Sequence, residues 1–179
     1  MVSLKWSETL LQQSEVTSQQ NWLTDRASLT KRLIELSNNH FSVELIREGW
    51  SIIRPDECQQ LEGSSSERYW LREVFLTGQT TRWVYARTVA NSFSATHAHC
   101  DLTQLGNKSL GNCMFTGDHF TRTPFSYGVY PKNLLTMLNL SNDLVARRSC
   151  FVKDAICLLV QEVFLPEFWA AIDKTTKSS

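Results

Sequence analysis

The chain lacks an excess of either charge: 18 basic and 18 acidic residues cancel among 179. A protein dedicated to nucleic acid would carry a basic surplus to neutralise phosphates, so that class is set aside. No stretch approaches the ~20 apolar residues of a membrane span, and the opening MVSLKWSETLLQQSE has no apolar core of a secretory leader. Paired cysteines are missing too. Cys58, Cys100, Cys113, Cys150 and Cys157 are odd in number and widely spaced, with no CxxC, so free thiols in a cytoplasmic setting are expected. There is no internal repeat, no GxGxxG, no Walker loop, no GxSxG and no HExxH, which removes the common nucleotide-binding, hydrolase and zincin readings. His97-x-His99-Cys100 resembles part of a metal site, but no second ligand pair accompanies it, so a metal is not expected.

What is present suits one domain over residues 1–179. Apolar residues make up 42% and charged residues 20%, with six Trp and nine Phe, enough for a sizeable core. Such an aromatic load serves cores and flat ligand pockets alike. Scattered apolar anchors over 1–24 predict one amphipathic helix, and Leu29, Leu33 and Leu36 make a helical stripe over 28–38, ended by Asn38-Asn39. Segments 41–47, 69–76 and 82–89 have the β-branched and aromatic content of strands, the last two joined by a turn at 78–81. The polar segment 54–67 is expected to be a surface loop, and 91–110 to be helical or irregular. A strand over 120–130 is interrupted by Pro124, and 132–143 is a short helix or ordered loop. Segments 145–152 and 156–165 flank Lys153-Asp154 as a hairpin. The expected class is α+β: an antiparallel sheet with helices packed outside it.

Alternate residues of a strand share a face. Glu162 is then the lone charge in the row Ile156, Leu158, Val160, Glu162, Phe164. Arg72 stands in the row Trp70, Arg72, Val74, Leu76, and Arg87 in Trp83, Tyr85, Arg87, Val89. An ion buried without a partner costs on the order of several kcal/mol. Two explanations stay open: a buried Arg–Glu bridge that fixes the sheet, or a closed pocket in which arginine holds an anionic ligand and Glu162 meets a hydroxyl. Arg47, Arg147 and Arg148 read as solvated or salt-bridged.

Around these strands runs an ordered set of short blocks. They are Leu29-Thr30-Lys31-Arg32, Ile46-Arg47-Glu48-Gly49, Arg68-Tyr69-Trp70-Leu71-Arg72-Glu73, Ala86-Arg87-Thr88-Val89, Leu105-Gly106 with Ser109-Leu110-Gly111, and Phe115-Thr116 with Thr121-Arg122. Ala146-Arg147-Arg148-Ser149 and the run 158–166 (LLVQEVFLP) complete it. In this order, from about residue 28 to 166, the sequence resembles the bacterial chorismate lyase family. The resemblance implies a single six-stranded antiparallel sheet with helices outside and two helix-containing flaps over an internal site. It also implies a cofactor-free enzyme that eliminates pyruvate from chorismate to leave 4-hydroxybenzoate, the first step of ubiquinone biosynthesis.

By the same resemblance Arg72 and the backbone amides of Leu110 and Leu29 bind the ring carboxylate. Glu162 meets the hydroxyl, and Arg87 faces the enolpyruvyl side. Leu29 stands where the family usually has Met, Ser109 where it often has Pro, and Ala86 where it has Gly. The implied partners are chorismate and 4-hydroxybenzoate alone, in a monomer with slow product release, no nucleic acid and no membrane. The alternative is a non-catalytic aromatic-acid-binding domain of the same fold. Bacterial regulators use such domains beside a DNA-binding unit of ~60–70 residues, and about 27 residues precede the first block here.

Overall fold

A computed structural model describes residues 2–10, 17–98, 101–111 and 120–177. The frame is one sheet of eight strands: β1 (Trp6–Ser7), β2 (Phe41–Ser51), β3 (Tyr69–Gly78), β4 (Thr81–Ala90), β5 (Thr121–Arg122), β6 (Ser126–Tyr130), β7 (Leu144–Lys153) and β8 (Ile156–Phe164). Their order is β1-β6-β7-β8-β4-β3-β2, with β5 also paired to β7, and every pairing is antiparallel.

The class is therefore α+β as expected, but the sheet has eight strands and not six. The additional two, β1 and β5, are two residues each, too short to show the alternation by which strands are read from sequence. Strands β5 and β6 lie in succession along β7. Pro124 falls between them, because proline offers no N–H to a ladder. Thr123 bridges the gap, donating its N–H to Cys150 O at 2.9 Å and accepting the Cys150 N–H on its hydroxyl at 2.9 Å.

Among the described residues, the helices α1 (Thr17–Thr24), α2 (Leu29–Leu36), α3 (Pro55–Gln60), α4 (Ser92–His97) and α5 (Pro166–Lys177) flank the sheet. Ser28 caps α2 by accepting from Lys31 N, and Asn38 and Asn39 leave it with φ of 52° and 65°, which asparagine tolerates. Leu33 of α2 and Phe168 and Ile172 of α5 close one face of the sheet over Val74, Val84 and Phe164. Two local expectations change. Residues 1–24 are not one helix: Trp6 and Ser7 pair with Gly128 and Tyr127 as an edge strand, and α1 starts at Thr17. Segment 54–67 is not merely a surface loop, because α3 lies in it with Asp56, Glu57 and Cys58 buried. Its polar residues are buried through pairing with arginines, which composition does not reveal.

One irregularity decides which side chains meet. Near the β3–β4 turn Gly78 opposes Thr81 and Thr77 opposes Arg82, but Leu76 opposes Val84. Trp83 is the extra residue of a bulge. Its indole lies on Gly78, where a Cβ would sit 2.0 Å from the ring, so glycine is required. From the bulge onward every β4 side chain faces opposite to where a regular hairpin would put it.

Candidate active site

Arg72, Thr88, Val160 and Ser149 stand side by side across β3, β4, β8 and β7, and one step along Val74, Ala86, Glu162 and Arg147 do the same. Both sets face the helices α2 and α5. Between this face and two chain segments lies a cavity of about 60 Å³, measured at water centres. At ~10–15 Å³ per water it has the scale of a small aromatic acid. Ser28–Thr30 at the start of α2 form one wall and Ser109–Gly111 another. The walls are joined where the Thr30 and Ser109 hydroxyls meet at 3.0 Å, and Ser109 also accepts from Gly111 N at 3.1 Å. Ser109, at the position where the family resemblance points to proline, thus ties the two segments together.

Arg72 enters from β3. Its Nη2 donates to the carbonyls of Gly106 and Lys108, each at 2.8 Å, and the left-handed Gly106, with φ of 52°, shapes that turn. Its Nε is buried with no hydrogen-bond partner. Burial pulls Arg72 below the ordinary arginine value, and the charge of Glu48, opposite it on β2, acts the other way. A buried guanidinium with an idle N–H is a ready carboxylate receptor. Leu29 is the first residue of α2, so its amide is among those that a helix leaves without an internal acceptor.

Glu162 enters from β8. It accepts from Arg147 Nε at 2.5 Å, and Arg147 in turn donates Nη1 to the carbonyls of Trp22, Leu23 and Asp25. Both explanations left open by the sequence therefore apply at once: Glu162 is in a buried Arg–Glu bridge and also lines the cavity. Much of the remaining lining is apolar, including Val43, Leu76, Ala86, Phe151 and Leu110, beside the hydroxyls of Thr30, Thr88 and Ser109 and the Arg122 guanidinium.

Four of the five expected site residues, Leu29, Arg72, Leu110 and Glu162, surround this one cavity. Arg87 does not. The bulge turns it to the opposite face, where it is clamped by Glu57 (Nε–Oε1 2.6 Å, Nη2–Oε2 2.9 Å) and Glu73. Counting back from the turn without the bulge would set Arg87 opposite Arg72; in fact Thr88 is there. Arg122, by contrast, was missed as a site residue although it lines the cavity. Its strand is only two residues long and offers no row in which a charge would look misplaced. Arg147, expected to be solvated or salt-bridged, is buried and salt-bridged, and its partner is Glu162.

His99, Cys100, Cys113 and the Phe115-Thr116 block lie outside the described residues. Among the described residues no three metal-binding side chains cluster, and Cys58, Cys150 and Cys157 are free thiols. No described helix is long and apolar enough to cross a membrane.

The profile of the family described as chorismate lyase matches residues 3–174. The chain belongs to the chorismate lyase family. A probable chorismate pyruvate-lyase of Pseudomonas fluorescens strain Pf-5 is 41% identical to it over 157 residues, 88% of this chain and 84% of the relative. One from Pseudomonas putida is 42% identical over 151 residues, 84% of this chain and 82% of the relative. The lyase-family fold is shared with proteins of very different sequence. The C-terminal domain of a histidine utilization repressor from Pseudomonas syringae superposes with a TM-score of 0.53 at 7% identity, over 71% of this chain and 92% of that one. A possible transcriptional regulator, YydK of Bacillus subtilis, gives 0.52 at 10% identity over 74% of this chain and 60% of its own. At these identities the likeness is one of fold alone. This member of the lyase family combines that fold with a cavity that has Arg72 on β3 and Glu162 on β8.

Proposed function

We propose that this chain eliminates pyruvate from chorismate to give 4-hydroxybenzoate, the first step of ubiquinone biosynthesis, without a cofactor. The observation that carries this reading is the idle, buried Nε of Arg72 in a mostly apolar cavity that also contains the Glu162 carboxylate. A ring acid with its carboxylate on Arg72 and its para hydroxyl donating to Glu162 satisfies both. The Leu29 and Leu110 amides add donors beside the same carboxylate.

The elimination needs no second reactant. The hydrogen on ring C4 leaves, its bonding pair completes the aromatic ring, and the C3–O bond breaks as that oxygen becomes the pyruvate carbonyl. The hydrogen ends on the enolpyruvyl methylene, so the two products hold every atom of chorismate. The protein supplies placement: Arg72 and Glu162 fix the ring at two ends, so the ether side chain is held folded over C4. The Thr30–Ser109 contact closes the cavity, and slow release of 4-hydroxybenzoate is expected. The same proposal makes the enzyme a cytoplasmic monomer.

Incubating the purified chain with chorismate alone and resolving the products by chromatography tests this. Equal amounts of 4-hydroxybenzoate and pyruvate are expected. Unchanged chorismate, with 4-hydroxybenzoate still bound, would instead support a non-catalytic aromatic-acid-binding domain of the same fold.

Glu162→Gln keeps an acceptor for Arg147 but withdraws the charge offered to the hydroxyl. It is expected to lower kcat by roughly 10²-fold, the lower range for a positioned acid or base, with KM little changed. Equal losses in kcat and in affinity would contradict the division of roles between Glu162 and Arg72.

A further inference from the structure

With Arg87 on the far face, the second carboxylate of chorismate has no receptor among the expected residues. We propose that Arg122 is that receptor, and that it makes the site selective for a six-membered ring acid bearing a second carboxylate beside the hydroxyl. This assignment rests on the function proposed above and deepens it.

Arg122 reaches the cavity from β5, held by the pairing of Thr121 and Arg122 with Val152 and Phe151. Its guanidinium is 4.5 Å from the Phe151 ring centre and 4.8 Å from that of Phe125, so two aromatic faces orient it. The side chain is 10% exposed and its Nε is buried without a hydrogen-bond partner. Among the described residues its remaining side-chain contacts are marginal. Nη1 is 3.5 Å from the carbonyls of Arg26 and Ala27, the limit of a hydrogen bond. Nη2 is 3.7 Å from Glu162 Oε1, beyond that limit, while Glu162 is engaged by Arg147 at 2.5 Å. Two guanidiniums thus share one carboxylate. Nearby Asp25 is bridged to Arg32, and Arg26 adds another cation to the surroundings. Burial pulls Arg122 below the ordinary arginine value, with Glu162 opposing, as befits a desolvated cation short of counter-charge.

The placement matches the substrate's own geometry. Strands β3 and β7 are three spacings apart in the sheet, about 14 Å at ~4.8 Å each. Arg72 and Arg122, which reach in from β3 and from the far side of β7, therefore address opposite ends of one ligand. In chorismate the enolpyruvyl ether is on the carbon next to the hydroxyl-bearing one, and Arg122 is the cavity cation beside Glu162.

Binding of two stable aromatic acids tests the assignment: 4-hydroxybenzoate, and 3-(carboxymethoxy)-4-hydroxybenzoate, which carries the second carboxylate but cannot eliminate. Arg122→Met, which keeps an apolar stem between the two rings, is expected to weaken the dicarboxylate by roughly 30- to 100-fold, typical of removing one partner of a buried charge pair. Affinity for 4-hydroxybenzoate should stay within about threefold, a ratio near unity on the same scale. Arg122→Lys should recover part of the loss, since it restores charge without the fork. Equal weakening of both acids, or of neither, in both variants would overturn the assignment. If the wild type leaves chorismate intact while this selective pattern holds, the lyase reading fails and the Arg122 assignment stands.

Discussion

Arg72→Ala is expected to weaken 4-hydroxybenzoate binding by roughly 10²–10³-fold, the range for truncating one side of a buried, hydrogen-bonded charge pair. Two effects add. The variant removes the only cavity guanidinium on β3, whose Nε has no protein partner to fall back on. It also releases the carbonyls of Gly106 and Lys108, which Nη2 holds at 2.8 Å, so the 105–111 wall loses its tether to the sheet. Loss of the tether acts mainly on escape, and most of the change should appear in the off-rate. Arg72→Lys should fall between wild type and Ala, because an ammonium cannot serve two carbonyls and a carboxylate with the guanidinium's geometry. Calorimetric titration, with a melting curve to show that the variant is folded, measures this. A dissociation constant within threefold of wild type would remove Arg72 from the site.

Glu57→Ala should cause the largest loss of stability. Glu57 is fully buried on the face opposite the cavity. It accepts from Arg87 twice, from Gln161 Nε2 at 2.6 Å and from Arg54 N at 2.8 Å, and pairs with the Arg54 guanidinium at 2.8 Å. Removing it leaves Arg87 with Glu73 as its one remaining carboxylate and Arg54 and Gln161 with fewer partners, so a cost of about 3–5 kcal/mol is expected. For a chain of this size the melting temperature should fall by roughly 10 °C.

Burial disfavours the Glu57 charge, but the hydrogen bonds and charge of Arg87, aided by Arg54, outweigh it and hold the carboxyl below its usual range. A depressed carboxyl pKa stabilises the fold fully above the unfolded value, about 4.3. That contribution fades as the pH drops below this value and through the lower folded one. Wild type should therefore lose stability in acid more steeply than Glu57→Gln, which starts lower but lacks this titration. Parallel melting-temperature profiles from pH 7 to pH 3 would show that Glu57 is not responsible. Turnover per folded molecule should survive in both variants, since Glu57 is not in the cavity lining.

Much of this architecture can be read from local pattern. The strands at 69–76, 82–89 and 156–165 and the helix at 28–38 follow from residue type and period. Arg72 and Glu162 stand out because each is a lone charge in an apolar row. That signal depends only on the two-residue repeat of a strand, which tertiary packing does not alter. Which rows share a face is another matter. It depends on register, and register here depends on the Trp83 bulge, stabilised by the indole lying on Gly78. A single extra residue flips the rest of β4, so Arg87 supports the fold and not the cavity.

Arg122 carries no periodic mark at all. Its importance arises from Phe125 and Phe151 beside it, and from the fact that Arg147 has already engaged Glu162. The polar segment containing α3 reads as surface for a related reason: Asp56 and Glu57 are buried with Arg148 and Arg87, both distant in sequence, pairing with them beside the neighbouring Arg54. By itself, then, the sequence determined the α+β class, the long strands and the two charges that had to find either a partner or a ligand. Only the tertiary structure decided which arginines reach the cavity and which are spent on the far face. A charge's role is set by the face on which it falls and by the partners already taken, and both depend on contacts between residues far apart in the chain.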